Sequence, residues 1–265
     1  MPEPLLCVDN VSKRFGGLLA VDQASFDAPA GRITALIGPN GAGKTTLFAI
    51  IAGFLRPTAG RVVYDGADIA GLPPHRLARR GIARTFQIVQ PFAGLTVAEN
   101  IAVGAHLHHA ARADALVAAA AVARAVDLEG QLDRPAAALT VAGRKRLELA
   151  RALAIEPKLL LLDEVLAGLN PSEVRDMVPV IRAIAARGVT IVMIEHVMQA
   201  VMSLAEHVFV LAEGKVIAQG APQQIAADPR VVEAYLGHGA AKRMLGEHGI
   251  SAPFPLVGEG WGGGS

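Results

Sequence analysis

The octet Gly38-Pro39-Asn40-Gly41-Ala42-Gly43-Lys44-Thr45 satisfies the pattern G-x-x-x-x-G-K-[ST]. Glycines at this spacing let the main chain wrap closely round a triphosphate with its N–H groups turned inward. Lys44 is placed to pair with the β- and γ-phosphates, and the Thr45 hydroxyl to ligate Mg²⁺. Thr46 carries the run into the first turn of a helix, whose N-terminal N–H groups add partial positive charge. A second cluster ends the run Leu159-Leu160-Leu161-Leu162 with Asp163 and Glu164. An apolar strand that delivers two acids at its C-terminal end puts them in the crevice where α/β proteins bind ligands. Asp163 is the candidate Mg²⁺ acid, and Glu164 the candidate general base that polarises an attacking water. A plain Gly-rich turn and a solvated strand end would each explain one cluster, but not both together. No asparagine here is followed by lysine. The Asn-Lys-x-Asp motif that reads guanine is therefore missing, and adenine is the expected base.

These residues need a sheet to hold them. Leu5 to Val11 and Leu19 to Phe26 read as half-buried strands, joined by a turn through Lys13-Arg14-Phe15-Gly16-Gly17. Arg32 to Ile37 is a strand feeding the glycine-rich turn, and Thr45 to Ala52 the helix after it. Arg61 to Tyr64 is a strand with a hairpin signal, Asp65-Gly66, behind it. One alanine-rich helical pattern runs from Thr96 to about Arg124, and a second helix from Val141 to Ala154. Leu159 to Leu162, Val189 to Ile194 and His207 to Leu211 are apolar strands of the kind buried on both faces of a parallel sheet. Between the last two acids and Val189, Pro171 opens a helix that Gly188 closes. The expected architecture is α/β: a P-loop NTPase core with a mostly parallel sheet, an N-terminal antiparallel β subdomain, and a helical subdomain inserted at about 95–154. The domain is expected to span 5–237, with a poorly ordered Gly/Pro-containing tail over 238–265.

Composition narrows the classes. Lys plus Arg number 25 and Asp plus Glu 24 over 265 residues, so the formal net charge is +1 and a strongly basic nucleic-acid binder is excluded. At 52% hydrophobic residues the chain is no disordered segment. Mean hydropathy is +0.40. The longest apolar run nevertheless stops at Ala115 to Ala123, well short of the ~20 residues of a spanning helix. Neither a secretory signal nor, with Cys7 alone, a disulfide or thiolate zinc cluster is expected. His106, His108 and His109 are read as a solvated helix face, and Arg144, Lys145 and Arg146 as a polar helix face near the nucleotide.

The order of motifs resembles the ATP-binding subunits of ABC transporters. Phe15 sits where that family stacks an aromatic on adenine. Gln87, in Ala83-Arg84-Thr85-Phe86-Gln87, matches the Q-loop glutamine that senses Mg²⁺ and γ-phosphate, and His196, in Ile194-Glu195-His196, matches the switch histidine. A narrower resemblance is to the importers of branched-chain or hydrophobic amino acids, a group whose pattern importers of urea, short amides or other small solutes share. It is carried by Arg146 to Leu153, Ala167-Gly168-Leu169-Asn170-Pro171, Val97 to Ile101 and Ala234-Tyr235-Leu236-Gly237. The resemblance implies an ATPase that sandwiches ATP with a second ATPase subunit, same or related. It implies membrane-spanning permease subunits and, indirectly, a solute-binding protein as partners, a place on the cytoplasmic face of the plasma membrane, and no nucleic acid.

The family signature Leu-Ser-Gly-Gly-Gln stands here as Leu139-Thr140-Val141-Ala142-Gly143, and Val165 and Asn170 replace a proline and an aspartate. In the family this turn donates to the γ-phosphate of the opposite subunit's ATP. Thr140 keeps a capping hydroxyl, and Val141, Ala142 and Gly143 keep the main-chain donors, so a working site is expected. A regulatory subunit with a degenerate site, or an ABC ATPase outside transport, is the alternative.

Overall fold

The computed structural model describes residues 4–86 and 90–236; Gln87 and the tail 238–265 lie outside them. Strands β1 (Pro4–Phe15) and β2 (Leu18–Pro29) form an antiparallel hairpin. Buried Leu6, Val8 and Val11 alternate with more exposed neighbours, the period of a sheet with one wet face. Strand β3 (Ile33–Ile37) is buried at every residue and runs into the glycine-rich loop, from which α1 (Lys44–Ile51) emerges. Strands β4 (Ala59–Tyr64) and β5 (Ala67–Asp68) turn through Asp65 and Gly66 at φ 49° and 73°. Two left-handed residues in a two-residue connection are what a type I′ turn requires. β4 pairs with β1, giving an antiparallel sheet of order β2-β1-β4-β5. Cys7 lies half-buried in it, opposite Asp27 and Val63. Burial first, then Asp27, pushes its thiol up to about 11.

Next come α2 (Pro74–Arg79), β6 (Ile82–Arg84) and three helices, α3 (Val97–Ala105), α4 (Arg112–Ala125) and α5 (Val141–Leu153). The single helical pattern expected from Thr96 to Arg124 is broken at 106–111. Ala115, Ala119 and Ala123 form an i, i+4 stripe, fully buried with Ala102 and Ala105 of α3. Folding the chain back to bury two small-residue faces outweighs alanine's preference to continue one helix. The histidines are thereby moved off the helix. His106 Nδ1 lies 2.9 Å from the His109 carbonyl and His108 Nε2 3.0 Å from that of Ile155, in the turn that ends α3. Among the described residues no group of three or more His, Cys, Asp or Glu is placed to hold a metal.

The rest of the chain is β7 (Leu159–Asp163), α6 (Pro171–Ala186), β8 (Thr190–Ile194), α7 (Met198–Leu204), β9 (His207–Ala212), β10 (Lys215–Gly220), α8 (Pro222–Ala226) and α9 (Pro229–Leu236). The six-stranded sheet has the order β10-β9-β3-β8-β7-β6 and is parallel except for the β9–β10 hairpin. The leucine run of β7 divides between two cores. Leu160 and Leu162 join the cluster of the helical side, Leu159 and Leu161 the cluster beneath α1 and the small sheet. A strand covered on both faces has no solvent side to make polar, hence the unbroken run.

Candidate active site

The glycine-rich loop is built against backbone. A Cβ on Gly38, whose φ is 150°, would fall 1.9 Å from the carbonyl oxygen of Leu211. One on Gly43, at φ 101°, would fall 2.4 Å from that of Ala20. Neither position admits another residue without moving main chain. α1 starts at Lys44, with Gly43 offering no side-chain cap and no acid in the first turn. Its leading N–H groups therefore remain available to an anion. Lys44 is 5% exposed, and its ammonium donates to the carbonyls of Gly38 at 2.7 Å and Pro39 at 2.9 Å. Burial lowers its pKa, while the charges of Glu164 and Asp163 hold it up. Pro39 is half-buried and Asn40 and Gly41 are exposed on the outer arc, Ala42 is buried beneath, and Thr45 is exposed and Thr46 half-buried at the helix start.

Strand register brings the acids to the loop. β7 and β8 pair Asp163 with Ile194, and β8 and β3 pair Ile194 with Leu36. The segments leaving these strands, Glu164, Glu195-His196 and the glycine-rich loop, therefore start side by side at one edge of the sheet. Asp163 is 2% exposed and accepts from Arg84 of β6 at 2.6 Å, while its N–H donates to the Thr85 hydroxyl at 3.0 Å. Glu164 adopts a left-handed backbone, φ 50°, and its carboxylate lies 2.9 Å from His196 Nε2. A carboxylate beside an imidazole is a pair that can accept and pass on a proton. Thr45, Arg84, Phe86, Gln90, Glu148, Arg151 and Asp163 line a cavity of about 430 Å³ next to it. Glu148 is buried there, accepting from the Phe86 N–H at 3.3 Å, and burial raises its pKa.

Two expected groups come from other elements. Phe15 is half-exposed at the tip of the β1–β2 hairpin, with the Lys13 ammonium 5.1 Å from its ring centre. The turn Thr140-Val141-Ala142-Gly143 opens α5 in the helical layer; the Thr140 hydroxyl accepts from the Gly143 N–H at 3.1 Å, and Val141 is half-exposed. The cap therefore forms despite the altered signature. Asn170 likewise caps α6, accepting from the Ser172 and Glu173 N–H groups at 2.9 and 3.0 Å. Gln87 falls outside the described residues.

The structure adds three charged residues to the neighbourhood. Arg84 neutralises Asp163. Lys145 is buried rather than on a polar face, leaving Arg144 exposed and Arg146 bonded to Asp127 and the Val126 carbonyl. Glu195, 1% exposed, accepts from the Leu166 N–H at 2.9 Å. Burial, chiefly, pushes its carboxyl up to about 7. Lys145 was expected near the nucleotide, though on a polar face, and for Glu195 the sequence offers an acid directly before the strand-end histidine.

Comparison with known proteins decides the family. The model of the ABC transporter family matches residues 21–167. The chain belongs to that family. It is an ATP-binding cassette, an ATPase of the ABC type, and a second family model, branched-chain amino acid ATP-binding cassette transporter, matches 215–241 of it. The cassette is 39% identical to the high-affinity branched-chain amino acid transport ATP-binding protein BraF of Pseudomonas aeruginosa, over 89% of this chain and 99% of that one. Its identity to LivG of Escherichia coli, of the same description, is 38% with the same coverage. A crystal structure of the ADP conformation of an ATP-binding cassette of an ABC transporter superposes with TM-score 0.82 at 32% identity, covering 89% of this chain and all of that one. No helix among the described residues is long and apolar enough to cross a membrane.

Proposed function

We propose that this cassette hydrolyses ATP to power an importer of branched-chain or other hydrophobic amino acids. The solute class rests on the relatives' names and on the match at 215–241. The observation that carries the mechanism is the convergence of Lys44, Asp163, Glu164 and His196 at one edge of the sheet. Main-chain N–H groups of the loop and of α1 bind the phosphates, with Lys44 turning from the Gly38 and Pro39 carbonyls to the β- and γ-oxygens. The half-exposed Phe15 offers its face to adenine. Glu164 accepts the proton of the attacking water, and His196 holds that carboxylate in place.

The oxygen set of Thr45 and Asp163, both lining one cavity, fits Mg²⁺, a hard ion held by one or two protein oxygens together with phosphates. Gln87 would add a third oxygen. When bound, Mg²⁺ neutralises charge building on the phosphate oxygens. The capped N-terminus of α5, Thr140 to Gly143, faces the γ-phosphate bound by a second ATPase subunit, and closure of that pair moves the permease at the membrane's inner face through the segment around Gln87.

The test is ATP turnover and ATP binding by the chain with Glu164→Gln and Lys44→Ala. Glu164→Gln keeps binding and loses turnover by about 100-fold or more, and Lys44→Ala loses tight binding. Normal hydrolysis by Glu164→Gln removes the base assignment. Uptake of labelled leucine that is unaffected in cells lacking the chain removes the solute assignment.

A further inference from the structure

Glu164 holds a left-handed backbone, a conformation that a non-glycine residue keeps only where its surroundings impose it. Its N–H donates to the Ile194 carbonyl at 2.9 Å. Its carbonyl accepts twice, from the Ala167 N–H at 3.2 Å, which closes a tight turn, and from the Lys145 ammonium at 3.0 Å. Inside the turn the Leu166 N–H is taken by Glu195. Two buried polar side chains, Lys145 and Glu195, therefore clamp the four residues 164–167. One comes from the second turn of α5, and the other from the end of β8 beside His196.

Lys145 is 7% exposed. Packing alone would favour an aliphatic residue there, since a buried ammonium is expensive unless it is paired and hydrogen-bonded. What a lysine adds is a donor long enough to reach from the helix of the Thr140 turn to the main chain of Glu164.

We infer that Lys145 is a positioning residue for hydrolysis. By holding the Glu164 carbonyl it fixes the backbone that turns the Glu164 carboxylate toward His196, and it ties that carboxylate to the helix whose N-terminus is the signature turn. The inference rests on the reading of Glu164 as the base. It makes the signature turn and the hydrolytic carboxylate of one chain parts of a single rigid connection, so that a displacement of α5 is felt at Glu164.

The test compares Lys145→Met, Lys145→Arg, Glu164→Gln and the double variant Lys145→Met/Glu164→Gln in the full chain. Lys145→Met lowers kcat about tenfold or more with the KM for ATP within about twofold, and Lys145→Arg recovers most of the loss. In the Glu164→Gln background the lysine change has no further effect, because residues that act as a unit are not additive. The ¹⁵N resonances of the His196 ring move in Lys145→Met toward those of Glu164→Gln, a signature that general loosening would not produce. Should Lys145→Met fail to fold, Lys145→Gln, too short to reach the carbonyl, replaces it with the same expectations. Wild-type kcat in Lys145→Met with Glu164→Gln inactive overturns the inference alone. So does a further loss in the double variant. Full turnover by Glu164→Gln overturns the reading of the base, and the inference with it.

Discussion

Replacing Arg84 by methionine probes the most buried ion pair of the site. The Arg84 and Asp163 side chains are 11% and 2% exposed and meet at 2.6 Å. The same guanidinium lies over Phe54 and Phe86, 5.8 and 5.6 Å from their ring centres. Methionine keeps the apolar packing and removes the charge, leaving the Asp163 carboxyl without its Arg84 partner. Breaking a buried pair from one side costs up to about 5 kcal/mol when nothing else compensates the remaining charge. Lys44, whose pKa the Asp163 charge holds up, offsets part of it, so the expected loss is about 3 kcal/mol. For a domain of this size each kcal/mol moves Tm by roughly 2–4 °C, so Tm falls by about 10 °C. Urea unfolding without nucleotide, read at constant m, measures the loss directly. Adding Asp163→Asn then removes the stranded charge, and the double variant recovers about 2 kcal/mol of the deficit. A loss below about 1 kcal/mol for Arg84→Met, or a double variant no more stable than the single, refutes the assignment of this pair as a buried electrostatic unit.

Three further outcomes are expected. Thr140→Ala removes the cap of α5 and lowers stability by about 1 kcal/mol in chemical denaturation, with Thr140→Ser close to wild type. Gly38→Ala forces a Cβ onto the Leu211 carbonyl, so ATP affinity measured by calorimetry falls by about tenfold or more, whereas Gly41→Ala, strained by its φ of 79° but with open space around its Cβ, is milder. Glu195 has its folded pKa raised to about 7 from 4.5, so folding favours its protonated form; the stability this gives is full below pH 4.5 and is lost as pH rises through 7. Glu195→Gln is therefore close to wild type near pH 4.5 but more stable at pH 8, by up to about 3 kcal/mol; equal Tm differences at both pH values would contradict it.

Much of this architecture was legible because each element served one strong local rule. The octet from Gly38 to Thr45 needs one loop geometry, and Leu159 to Asp163 announces a doubly covered strand ending in an acid. Where competing tertiary terms decided, the sequence misled. Alanine propensity hid the break between α3 and α4, since what stopped the helix was a partner face. The short β6 and the helices α7 to α9 carry too few residues for a period to show. Lys145 read as part of a polar helix face, and nothing marked Arg84 or Glu195 as buried, because burial of an ionic group depends on a partner distant in sequence, 79 residues away for Arg84 and Asp163. The altered signature was readable, by contrast, because capping depends only on Thr140 and the donors just after it.

The environment of Cys7 has a practical side. A thiol pushed up to about 11 is ionised in only about one molecule in ten thousand at pH 7, and thiolate is the reactive form. The chain's single sulfhydryl is thus a poor target for maleimides, haloacetamides and mild oxidants alike. A cysteine introduced at an exposed position away from the site, such as Val117 on α4, would take up a spin label or fluorophore selectively, with the native cysteine left in place. In the pair of ATPase subunits proposed above, distances from such a label to one on the second subunit would follow opening and closing through the ATP cycle.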